Sequence, residues 1–263
     1  MSSLGKRTRL NRIFSHSSGR ILSVAVDHLI NYPIGLPQGL RTMGRTLEQV
    51  VAGRPHAITM NKGIAMRFME PHAGKVPLII QSMALRPEWS EFAFSAHVEE
   101  VVALGADAIA VAMFLKGPSE IQFINHLAKV VREAEPYGLP VIPHIYTLSS
   151  GDEKSSSTHN PEDIFYAVRM GLEQGADVVK VPYTGDEASF ADIVSVTPVP
   201  VVAAGGPKCT TLEEAVSMMK SVARTGAAGA TVGRNVWEFP DIPGAIQALT
   251  EAMVNTPVAG SEN

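Results

Sequence analysis

The stretch Gln174-Gly175-Ala176-Asp177-Val178-Val179-Lys180-Val181 decides the fold. A glycine ends a helical segment, a small residue turns the chain, and an apolar run begins. The same joint recurs at Leu104-Gly105-Ala106-Asp107-Ala108 and at Thr225-Gly226-Ala227-Ala228-Gly229. Outward from these joints, eight short apolar runs follow one another: 21–26, 57–60, 76–80, 108–112, 140–146, 178–181, 199–204 and 228–232. Their apolar character is continuous, as in strands buried on both faces of a helix-covered parallel sheet. Between them lie segments with helical spacing. Val98, Val101, Val102 and Leu104 form one, and Ile121, Ile124, Leu127, Ala128 and Val131 another. Phe165, Val168 and Leu172 precede Gly175, and Leu212, Ala215, Val216, Met219 and Val222 precede Gly226. Eight strand–helix units in 263 residues predict an α/β fold, a single closed (β/α)8 TIM barrel and not an open doubly wound sheet.

The composition agrees. Apolar residues make up 45%, enough for a large core, and charged residues only 18%. That charge fraction is below the globular norm of about 25%, which favours a homo-oligomer. The net charge is -4 and no basic run stands out, so nucleic acid and anionic membrane are not expected partners. No apolar run reaches the roughly 20 residues of a membrane span. The N-terminal residues are polar and basic, unlike a signal peptide. Cys209 is the single cysteine, which excludes an intrachain disulfide and a cysteine metal cage and suits the cytoplasm. One domain is expected over residues 1–263, with short flexible termini.

In such a barrel the chemistry sits where the strands end. Strand one ends in Asp27-His28, strand five carries His144 and Tyr146, and strand six holds Lys180 among valines. Strand seven runs into Gly205-Gly206-Pro207-Lys208 and strand eight into Gly233-Arg234-Asn235. A lysine on a core strand is desolvated, which lowers its pKa and makes a neutral nucleophilic amine accessible. The bland reading is a lysine that snorkels to the strand end or pairs with Asp27. Asp27 and His28 suit an acid/base pair, or Asp27 a helix cap. Metal binding is not expected, because no second histidine stands at ligand spacing. Tyr146 offers a phenolic proton, or is an ordinary half-buried tyrosine. Two adjacent glycine loops with Lys208 and Arg234 fit a phosphate better than glycine turns needed for geometry alone.

Together these motifs resemble the archaeal-type, or DhnA-type, class I fructose-bisphosphate aldolase family, from Asp27 to Trp237. The resemblance implies a cofactor-free Schiff-base enzyme that cleaves or forms a C–C bond in a small phosphorylated ketone. It implies Lys180 as the imine lysine, Asp27 as its assistant and Tyr146 as proton donor and acceptor. Gly205, Gly206, Gly233 and Arg234 match the phosphate loops, and His28 and Lys208 complete the expected binding set. Family members form rings, often decamers. The run His144-Ile145-Tyr146-Thr147-Leu148-Ser149 departs from the Trp-x-Tyr-Pro-Arg-Gly pattern of the fructose-bisphosphate members. It points to a phosphorylated ketone and not to fructose bisphosphate in particular. Relatives on this scaffold include a thiolase acting on a phosphorylated dione and an amino-dideoxy-heptulosonate synthase, so acyl or ketol transfer on the same lysine is an alternative. An isomerase using Asp27 and His28 without an imine, and a non-catalytic regulator, are the rivals from other classes. Specificity is expected in loops 82–91, with Arg86 and Trp89, and 149–160, a lid rich in Ser and Gly.

Overall fold

The computed structural model describes residues 4–28, 35–84, 93–148 and 158–260. Arg86, Trp89 and most of the expected 149–160 lid therefore lie outside the described residues. Eight parallel strands close a barrel in chain order: β1 Ile21–Ala25, β2 Ala57–Asn61, β3 Leu78–Gln81, β4 Ala108–Leu115, β5 Val141–Thr147, β6 Val179–Pro182, β7 Val201–Ala204 and β8 Gly229–Val232. The seam is closed by β1 against β8, with Ile21 opposite Gly229 and Val24 opposite Val232. Each expected apolar run contains its strand to within a few residues. A small antiparallel pair, Met83–Ala84 with Ala93–Phe94, sits beyond β3.

Side chains sort by alternation along each strand. On β4, Ile109, Val111 and Met113 pack outward into the shell beneath the helices, while Ala108 and Ala110 face the barrel axis. The lower interior is a separate apolar plug of Ile21, Ala57, Ile79, Ala108, Ala110, Ile142, Val178 and Val202. The barrel is thus filled below and open for polar groups above.

The helices follow the strands as the spacing predicted: α2 Val98–Ala103, α3 Glu120–Ala134, α4 Pro161–Glu173 and α5 Leu212–Arg224. The joint glycines Gly105, Gly175 and Gly226 all have left-handed φ, as a helix C-terminus requires. The joint aspartates have a definite role. Asp107 accepts the N–H of Leu78 at 3.2 Å and Asp177 that of Val141 at 2.9 Å, so each holds the start of the preceding strand.

Residues 4–13, to which the sequence analysis gives no element, form helix α1, Leu4–Ile13. Ile13 is fully buried in the interior plug, with Leu10 and Phe14 packed against it. Lys6 pairs with Glu135 and Asp177, and Arg12 with Asp107. The polar residues of this segment are the anchors of a stopper. No helix among the described residues is long and apolar enough to cross a membrane.

Candidate active site

The upper end of the barrel holds a cavity of about 510 Å³. Lys180, Tyr146, His28, Gly205, Gly206, Gly233 and Arg234 line it together. These come from strands one, five, six, seven and eight, so the closed barrel brings most of the expected residues to one mouth. Asp27 is buried just beneath, at 8% exposure.

Lys180 projects inward from β6, in register with His144 on β5. Neither a hydrogen bond nor an ion pair links Lys180 to a described residue. Burial among apolar walls pulls its ammonium pKa down to about 8, and the nearby Asp27 carboxylate only partly opposes this. A substantial neutral fraction therefore exists near neutral pH.

Asp27 is held from two sides. Gln81 Nε2 donates to Asp27 Oδ2 at 3.4 Å, and His28 Nδ1 lies 3.7 Å from Oδ1. Burial, reinforced by the positive charges of Lys180 and Arg234, drives His28 down to about 4 although Asp27 favours its cation. His28 is thus a neutral ring at pH 7, standing edge-on to Trp237 with centroids 5.2 Å apart. Trp237 in turn donates its indole N–H to Ala25 O at 2.9 Å. His28 fills the space beside Gly233, where a Cβ would collide with its ring. This explains one loop glycine by packing alone.

The two glycine loops are spliced by Asn235. Its Nδ2 donates to Gly205 O at 3.2 Å and Pro207 O at 2.8 Å, and its Oδ1 accepts the Cys209 N–H at 2.8 Å. Arg234 Nη2 reaches Gly206 O at 3.5 Å and keeps its guanidinium on the cavity wall. Lys208 is not brought in. It is more than half exposed, forms an ion pair with Glu238, and does not line the cavity. Tyr146 is half-buried, with its ring 5.8 Å from that of Phe114.

Three residues that the sequence reading passed over belong here. Gln81 bridges Asp27 and His144. Glu238 captures Lys208. His159 lines the cavity, with Nδ1 2.6 Å from Tyr183 O. A carbonyl oxygen only accepts, so His159 Nδ1 carries the proton and Nε2 the lone pair when the ring is neutral. A histidine just before the Asn160-Pro161 start of α4 was the available signal.

A buried amine of lowered pKa, a carboxylate close by, a phenol and an arginine-lined pair of glycine loops suit imine chemistry on a small anionic carbonyl compound. Comparison with known proteins agrees. The pattern of the DeoC/LacD family of aldolases matches residues 21–238. A 2-amino-3,7-dideoxy-D-threo-hept-6-ulosonate synthase of Halobacterium salinarum is 32% identical over 97% of this chain and 93% of its own. A class 1 fructose-bisphosphate aldolase of Thermoproteus tenax is 34% identical over 74% of this chain and 73% of its own. Among solved structures, an archaeal fructose 1,6-bisphosphate aldolase superposes with a TM-score of 0.84 at 29% identity, covering 95% of this chain and 99% of the other. A second archaeal structure carries its catalytic lysine covalently bound as the carbinolamine of its substrate, with a TM-score of 0.82 at 29% identity over 95% and 99% of the two chains.

Proposed function

The chain belongs to the DeoC/LacD family of aldolases, and on that premise we propose that Lys180 forms a Schiff base with a small phosphorylated ketose or related ketone. The observation that carries this is the buried Lys180 amine, lowered to about 8 and lining the same cavity as Tyr146 and Arg234. The neutral amine attacks the ketone carbonyl and loses water to give an iminium. The iminium draws the electron pair of the adjacent C–C bond, which breaks to leave an enamine. The hydroxyl proton passes to Tyr146 or Asp27, directly or through water, and the reverse sequence forms the bond. Arg234 and the N–H groups of the Gly205-Gly206 and Gly233 loops hold the phosphate, which turns binding energy into orientation of the carbonyl. His28, neutral and packed on Trp237, shapes the pocket beside Asp27. Lys208 acts at most from the rim. The low charge fraction and single cysteine support a cytoplasmic homo-oligomer.

A second reading is favoured by the run His144–Ser149 and by the near full-length match to the heptulosonate synthase. In it the enamine is passed to a second carbonyl acceptor in a transaldol-type transfer, on the same lysine. Incubation with candidate phosphorylated ketones and borohydride, read by intact mass, tests both. The expected result is one ketone mass on the wild type and none on Lys180→Met. Full trapping on Lys180→Met would overturn the assignment. Release of free aldehyde without an acceptor separates cleavage from transfer.

A further inference from the structure

We propose that Gln81 fixes His144 as a neutral imidazole protonated on Nε2, and that this N–H reads an oxygen on the carbon beside the carbonyl that meets Lys180. The inference rests on the imine reading above and adds the group that selects the ketone.

The orientation of the Gln81 carboxamide is set by its surroundings. Its Oε1 accepts the backbone N–H groups of Met83 at 3.2 Å and Ala112 at 3.1 Å. Only the carbonyl end of an amide can accept from both, so the group cannot be flipped. Nε2 is then the donor end. It lies 3.4 Å from Asp27 Oδ2 and 3.4 Å from His144 Nδ1. A carboxylate oxygen takes one hydrogen, and the other points at His144 Nδ1, which must offer its lone pair. A neutral ring with a lone pair on Nδ1 carries its proton on Nε2.

The ring is also held neutral. His144 is 4% exposed, and burial, with the charge of Lys180, lowers it well below the ordinary histidine range. The Lys180 ammonium repels a second cation at this position, so the ring stays uncharged beside it. His144 and Lys180 are register partners on adjacent strands and face the barrel axis together. No hydrogen bond joins His144 Nε2 to a described residue. His144 Nε2 is not among the fully buried atoms that lack a partner, so its N–H is open to a ligand acceptor. A hydroxyl or carbonyl oxygen next to the ketone carbon joined to Lys180 would meet this wall, because His144 is the register partner of Lys180. His144 is therefore a positioning and specificity residue, and Gln81 fixes its tautomer.

Two measurements test this. In protein labelled with 15N-histidine, long-range proton–nitrogen spectra at neutral pH, assigned by comparison with His144→Gln, should show the Nε2–H tautomer for His144. An Nδ1–H tautomer or an imidazolium overturns the proposal. Borohydride trapping is then titrated with dihydroxyacetone phosphate and with hydroxyacetone phosphate, which lacks one hydroxyl beside the carbonyl. The wild type should favour the hydroxylated ketone by about tenfold. The ratio should fall to about one in His144→Phe and return in His144→Gln, whose amide keeps a donor at similar reach. Equal trapping of the two ketones by the wild type, or a wild-type ratio in a folded His144→Phe, overturns the proposal. If His144→Phe does not fold, the wild-type ratio and the tautomer spectrum decide. If the wild type traps neither ketone, the oxygen-reading role of His144 is overturned, while the imine reading is decided by the wider set of ketones above and the spectrum still reports on Gln81 and His144.

Discussion

Lys180 is costly to the fold for the same reason that it is useful. Its amine is stripped of water, so the folded protein releases that proton at about 8 where the unfolded chain holds it to 10.5. Below about 8 the folded state carries the whole cost of a buried ammonium. Between there and 10.5 the unfolded chain binds more protons, so stability from this residue rises with pH. Imine formation needs the neutral amine, so the single-turnover rate of borohydride-trappable adduct should rise through pH 8 and then level off. A flat profile from pH 6 to 9 would contradict it. Lys180→Met removes the buried charge and should unfold at higher urea than wild type at pH 7, by on the order of 3 kcal/mol, with the advantage shrinking by pH 10. The residues legible in the sequence were those whose type is out of place: a lysine among valines, Asp27-His28 after an apolar run, paired glycine loops with a cation. Gln81 was not legible. A glutamine after Leu78-Ile79-Ile80 is unremarkable until barrel closure brings it against Asp27 and His144, 54 and 63 positions away. Lys208 was misplaced for a similar reason, since its partner Glu238 sits on another loop.

The strands were the most legible elements, because burial on both faces writes itself as continuous apolar runs. Their registers were not. The β1–β8 seam depends on Gly229, whose φ of 152° lies outside the range open to ordinary side chains. A Cβ there would collide with the backbone N and O of Ile21 and with its side chain. Ile21 is itself fixed, since its N–H donates to Ala228 O at 3.0 Å and its side chain belongs to the interior plug. No flexible chain end can move aside. Gly229→Ala should therefore cost about 3 kcal/mol, combining strain and overpacking. It should appear as a lower urea midpoint with an unchanged slope. A loss below about 0.5 kcal/mol would mean that the seam is looser than drawn.

At the scale of the whole molecule, the barrel is closed at one end by α1 and open at the other to the substrate. The stopper could not be read from sequence, because it presents few apolar residues and is held by charges whose partners lie far along the chain. Lys6 is the central anchor, with Nζ 2.7 Å from Glu135 and 3.1 Å from Asp177. Glu135 is about half exposed and can return to water. Asp177 cannot, since it is largely buried and tied to the Val141 N–H. Burial already raises its pKa, and the Lys6 ammonium is one of the groups that keep it ionised. In Lys6→Ala the carboxylate would be left without its cation. The expected loss is about 2 kcal/mol at pH 7, between that of an exposed pair and a fully buried one. Protonation of Asp177 relieves an unpaired charge, so the gap between variant and wild type should narrow as pH falls towards 4. Urea unfolding at both pH values measures this, and a gap that widens in acid would exclude the pairing. Borohydride trapping by the folded variant should match wild type, because Lys6 and Lys180 sit at opposite ends of a barrel whose middle is filled by the interior plug. A large fall in trapping would instead mean that the stopper sets the geometry of the mouth.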